Sequence, residues 1–244
     1  MKRVKLSERV LPTYTKGEEI FNMVSHIVGA ACGVAATALC VIFAAVHQNV
    51  YGVISGAIYG ATMILLYTMS SIYHGLKHDT TAKKVFQIID HCTIFLLIAG
   101  SYTPFTLCTF REYNTFLGWT MFGVIWGFAV IGIILNSIDL KRYKVFSMIC
   151  YLAMGWCIIF KFSLLPELLG NMGVALLLGG GIAYTVGAIF YGLGKKHKYM
   201  HSIFHLFIVL GSILQFLCIL LYVMWYFGDG GKSITWSNKK LNWE

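Results

Sequence analysis

MHSIFHLFIVLGSILQFLCILLYVMWYF, residues 200–227, decides the fold. It holds no Asp, Glu, Lys or Arg, and as a helix it is long enough to cross the roughly 30 Å hydrocarbon core of a bilayer. Yet it opens on His201 and His205, whose i, i+4 spacing puts both on one helix face. Ser70 and His74 repeat that spacing in a second apolar run, and Asp90 begins a third. Ionisable groups inside a membrane are costly and mark a functional site by default.

The same kind of run recurs along the chain. Seven spans are read, at 21–46, 51–76, 86–109, 116–138, 145–165, 170–194 and 200–227. The composition agrees: 58% hydrophobic and 12% charged, where soluble domains carry about a quarter charged residues. Connections are short, so one membrane domain accounts for the chain. The reading is an all-α seven-helix transmembrane bundle over 18–228, with a basic arm at 1–17 and a polar tail at 229–244. The first run is too long for a signal-peptide core and lacks a small-residue cleavage site, so it is expected to stay as helix one.

The net charge of +9 is distributed in a way that points away from nucleic acid and towards a membrane surface. Fourteen of the 19 basic residues lie in the arm or follow the second, fourth and sixth spans; only Arg111, Lys161, Lys232, Lys239 and Lys240 lie on the other side. By the positive-inside rule the N-terminus is cytoplasmic and the C-terminus external, in a plasma-membrane protein. The seven cysteines are scattered through the spans without a C-x-x-C pair and read as free packing residues. Gly29 and Gly33, then Gly52, Gly56 and Gly60, recur every four residues and favour close helix approach. Pro104 is expected to bend or end span three, and Gly179 to Gly181 to loosen span six.

Topology then brings the polar residues to one depth. His74 ends span two just before the basic loop Lys77–Lys84, Asp90 follows that loop, and His201 follows Lys195–Lys198. All lie at the cytoplasmic side. His74, His201 and His205 offer three imidazoles, a zinc ligand set with room for water. Ser70, one turn from His74, becomes a donor to that water, although alone it would bond back to its own helix. Asp90 would orient or deprotonate the water; pairing with Lys83 or Lys84 is the alternative, and the sequence leaves both open. Glu19, Asn22 and His26 share one face of span one, with a polar helix entry and a supporting or substrate-handling role equally open. His47, His78, His91 and His197, and His26 taken alone, read as interfacial or hydrogen-bonded.

Glu19-x-x-Asn22-x-x-x-His26-x-x-Gly29, Ser70-x-x-x-His74, Asp90 running into Ala99-Gly100-Ser101-Tyr102-Thr103-Pro104, and His201-x-x-x-His205 together resemble the hemolysin III family. This is the bacterial branch of the progestin and adiponectin receptor superfamily. The resemblance spans residues 18 to about 210. It implies a seven-helix bundle with the N-terminus inside, zinc on His74, His201 and His205, and Asp90 and Ser70 holding the attacking water. The relation to alkaline ceramidases implies hydrolysis of a lipid amide.

Three functions compete. A zinc-dependent hydrolase of a membrane lipid amide or ester, serving membrane lipid homeostasis, uses every singled-out residue. A receptor-like regulator of membrane state with structural zinc needs a closed tetrahedral shell. A haemolysin or cytolysin, which the family name evokes, fits poorly, because pore formers need soluble or strongly amphipathic segments. A retinal protein is disfavoured because 200–227 has no lysine for a Schiff base.

Overall fold

A computed structural model describes residues 5–194 and 197–224, so the tail expected at 229–244 lies outside the described residues. The described chain is almost entirely helical. The helices are α1 (Lys16–Val46), α2 (Val50–Gly75), α3 (Thr81–Pro104), α4 (Thr115–Trp156), α5 (Leu165–Leu193) and α6 (Met200–Ile219). The α1 start is set by Thr15 and Glu18, whose side chains satisfy each other's backbone N–H in a capping box. Asn49, Thr80 and Asn114 cap α2, α3 and α4 through one side-chain bond each, accepting a backbone N–H three residues on. At Pro104 the α-helical winding of α3 gives way to a π-helical stretch, Phe105–Phe110. A residue without an N–H sits where the ladder changes register.

Among the described residues, five helical runs are long and apolar enough to cross a membrane. One of them, Thr115–Leu193, is 79 residues long and holds the spans read at 116–138 and 145–165 and all but the last residue of 170–194. At about 1.5 Å per residue an unbroken helix of that length would far exceed a bilayer. It is broken at Asp139 (φ −158°, ψ 93°), at Lys161 and at Gly170 (φ 66°, ψ 167°). Asp139 Oδ1 accepts the N–H groups of Lys141 and Arg142 at 3.1 Å and so caps the segment that follows. Gly170 adopts a left-handed φ that a side chain would resist. The loosening expected at Gly179 to Gly181 is therefore corrected: the break falls at Gly170, and those three glycines lie in unbroken helix. A Cβ on Gly180 would meet Gln215 Nε2 at 2.8 Å, so its smallness serves packing against α6.

The molecule is inverted relative to a soluble domain. Val28, Val34, Phe128 and Ile189 are at least half exposed, while Asn22, Ser55, Thr103, Thr106 and Asn136 are fully buried. A surface this apolar belongs in lipid. Glycines let α1 and α2 approach: a Cβ on Gly29 would meet the Tyr67 ring at 2.7 Å, and one on Gly60 would overlap Thr37. On the far side, Gly132 of α4 makes room for the Phe95 ring of α3. Polar side chains tie α2 to α5 and α6. Tyr67 donates to Ser212 Oγ (2.7 Å), Tyr184 shares that hydroxyl (2.8 Å), and Tyr59 donates to the Ser212 carbonyl (3.2 Å).

Candidate metal centre

Two helix ends carry the three histidines of the centre. His74 lies one residue before the end of α2, and His201 and His205 occupy the first two turns of α6. Their ligand nitrogens lie within 4.8 Å of one another and all three residues are buried. His201 Nε2 and His205 Nε2 are 3.1 Å apart. Two nitrogens on one tetrahedral zinc, each at about 2.0–2.1 Å, stand about 3.3 Å from each other, so the spacing suits a common ion. His74 Nδ1 is held by Glu19 Oε2 at 2.6 Å, and its other nitrogen, Nε2, is buried without a hydrogen-bond partner among the described residues. An unpartnered buried nitrogen is costly, and a metal on it removes that cost. The donor set fits an imidazole-binding metal.

The start of α6 is positioned from α1. Glu18 Oε1 accepts the backbone N–H of Tyr199 at 2.7 Å, holding this non-glycine residue at φ 61° just before Met200. Tyr14, immediately before the α1 cap, stacks on His201 with ring centroids 4.9 Å apart and planes 18° apart. Burial there, beside Tyr73 and Tyr191, pushes the Tyr14 phenol well above its ordinary range. Composition and spacing gave no signal for Tyr14, whose importance comes from where the chain folds back.

The other singled-out residues converge on the same region. Ser70, Asp90, His26 and His205 line one cavity of about 150 Å³ whose remaining wall is chiefly apolar, with Leu66, Leu97 and Ile208 among its residues. Asp90 Oδ2 lies 3.4 Å from His91 Nδ1, and its further electrostatic neighbours include His74 and the Ser70 hydroxyl. Asp90 is outside the group whose ligand atoms cluster. The His26 ring stacks on His205 with centroids 3.8 Å apart. Both His26 nitrogens and both polar atoms of the Asn22 amide are buried without hydrogen-bond partners among the described residues.

Lys83 does not pair with Asp90, the alternative the sequence left open. It donates to Glu19 Oε1 at 2.7 Å, while Lys84 donates to the Ser7 carbonyl at 2.8 Å. His91 is hydrogen-bonded to the Gln87 carbonyl (2.9 Å) and the Tyr191 hydroxyl (3.1 Å), and His78 approaches the Pro12 carbonyl at 3.4 Å.

The sequence pattern of the family described as Haemolysin-III related matches residues 14–216, which takes in every one of these side chains. The chain belongs to that family. Among its relatives, Hemolysin-3 of Bacillus cereus is 42% identical over 207 residues, covering 85% of this chain and 92% of the relative. The Hemolysin-3 homolog of Bacillus subtilis (strain 168) is 38% identical over 209 residues, covering 86% and 96%. More distantly, the human Monocyte to macrophage differentiation factor is 29% identical over 175 residues, covering 70% and 71%. The family assignment agrees with the motif resemblance, and apolar helices make its member here a membrane protein.

Proposed function

We propose that this haemolysin-III related protein is a multi-pass zinc protein that hydrolyses an amide or ester bond of a membrane lipid and so contributes to membrane lipid homeostasis. The observation that carries the reading is the buried three-histidine group adjoining a cavity with an apolar wall. Three protein nitrogens leave a coordination position open, which catalysis needs and a closed structural site lacks. When bound, zinc supplies Lewis acidity, polarising a carbonyl and acidifying water towards neutral pH.

The chain's own residues do the rest. Asp90 takes the proton of the attacking water as general base. The Ser70 hydroxyl, on the same cavity wall, orients that water with one hydrogen bond. Leu66, Leu97 and Ile208 hold hydrocarbon and keep bulk water from the reacting bond. Asn22 and His26 bring unpartnered polar atoms that suit a lipid's polar linkage.

In this reading Thr115–Leu193 crosses the membrane three times, turning near Asp139 and near Lys161–Gly170, which gives seven spans. The charge distribution supports a cytoplasmic N-terminus, an external C-terminus and a metal centre on the cytoplasmic side.

The test is metal analysis of protein purified in detergent, followed by hydrolysis of a panel of lipid amides and esters with chelator and after zinc return. About one zinc per chain and chelator-sensitive turnover are expected. Zinc without turnover of any panel member would favour the receptor-like reading. Protein without zinc would end both.

A further inference from the structure

Lys83 is a buried lysine, 1% exposed, at a place where nothing in the chemistry above uses it. Lysine is almost never buried this fully unless paired, because taking its charge out of water is costly. Its ammonium donates to Glu19 Oε1 at 2.7 Å and to the Leu76 carbonyl at 3.0 Å, and lies 5.2 Å from the centre of the Tyr73 ring. Leu76 caps the C-terminus of α2, so Lys83 of α3 closes the α2–α3 turn while reaching across to α1. With Oε1 taken, Glu19 presents Oε2 to His74 Nδ1 at 2.6 Å.

We propose that Lys83 is a positioning residue for the metal centre, acting on His74 through Glu19. It locks the carboxylate in the one rotation that keeps the His74 proton on Nδ1 and leaves Nε2, buried without a hydrogen-bond partner among the described residues, as the lone-pair donor. Carboxylates that hold a ligand imidazole in this way fix its tautomer and ring orientation. Here the carboxylate is itself held, by a lysine 64 residues away in sequence. Freed from Lys83, Glu19 turns, and His74 gains access to its other tautomer and to other ring positions. The proposal rests on the metal reading above.

The test compares Glu19→Gln, Lys83→Met and the double variant with the parent chain, in detergent. Three quantities are read: the zinc Kd by competition with a chromophoric chelator, the visible spectrum of the cobalt(II)-loaded protein, and thermal unfolding of the metal-free protein. Glu19→Gln should weaken zinc binding about 10–100-fold, the usual cost of losing such a partner. Lys83→Met should weaken it about tenfold and shift the cobalt bands. The double variant should bind no more weakly than Glu19→Gln alone, because the lysine has no other path to the metal.

Lys83→Met with the parent Kd and cobalt spectrum would overturn the proposal even if unfolding moved to lower temperature, since that marks a purely architectural lysine. If Lys83→Met fails to fold, the double variant, in which both charges are gone, decides: binding clearly weaker than in Glu19→Gln overturns the relay. A parent protein that binds no zinc fails the metal reading itself, a result distinct from either.

Discussion

Replacing His74, His201 and His205 singly by alanine probes the centre most directly. A four-ligand structural zinc site binds with about 10–16 kcal/mol, so one ligand accounts for roughly 2.5–4 kcal/mol. At about 1.4 kcal/mol per tenfold, each variant should lose about two to three decades of zinc affinity. The three losses differ in what they leave behind. His74→Ala keeps the Glu19–Lys83 ion pair at 2.7 Å, so the metal-free fold should be little disturbed. His201→Ala strips Tyr14 of its stacking partner and His205 of its 3.1 Å neighbour, so it should also lower metal-free stability. The assay is zinc per chain by elemental analysis after gel filtration, with Kd by chelator competition and unfolding followed without metal. Unchanged zinc content in all three variants would refute the reasoning.

Asp90→Asn should keep zinc within about tenfold of the parent and abolish turnover, since the amide keeps size and an acceptor but cannot take a proton. If it loses zinc as fully as His201→Ala, Asp90 is a ligand. Ser70→Ala should be milder, costing about 1 kcal/mol, or roughly fivefold in kcat/KM, for one hydrogen bond to water. A reporter fused after Glu244 should read external and one inserted at 139–144 cytoplasmic; the reverse would put the centre on the other face. Gly60→Val should lower stability by about 1–3 kcal/mol, because its Cβ would overlap Thr37 across the α1–α2 contact. A thermal shift within error would discount that contact.

Much of the architecture was legible because hydropathy and charge both report on a bilayer. The apolar runs located the helices, and i, i+4 spacing with the basic loops brought His74, Asp90, His201 and His205 to one region. What escaped depended on pairings remote in sequence or on local backbone chemistry. Lys83 looked like one more cytoplasmic charge beside Lys84; only the folded chain separates the buried lysine from its surface neighbour. Tyr14 sat in the segment read only as a basic arm, 1–17. The α1 start at Lys16, five residues before the first apolar run, was signalled by Thr15-Lys16-Gly17-Glu18, a capping box that hydropathy ignores. The loosening expected at Gly179–Gly181 is absent: glycine density was taken for flexibility, whereas the left-handed φ falls on Gly170, where the sixth span was read to begin.

The tyrosines gathered on Ser212 carry a further meaning for the histidines. Tyr67 is two helical turns from His74 along α2, and Ser212 two turns from His205 along α6, so the hydroxyls joining them act as a rivet between the two ligand-bearing helices. In hydrocarbon no water waits to replace a broken hydrogen bond, which removes the easy route by which helices slide past each other. The gap between the three imidazoles is therefore set by the scaffold itself. On the metal reading, binding would spend little on ordering, and the centre would act as a socket rather than a clasp.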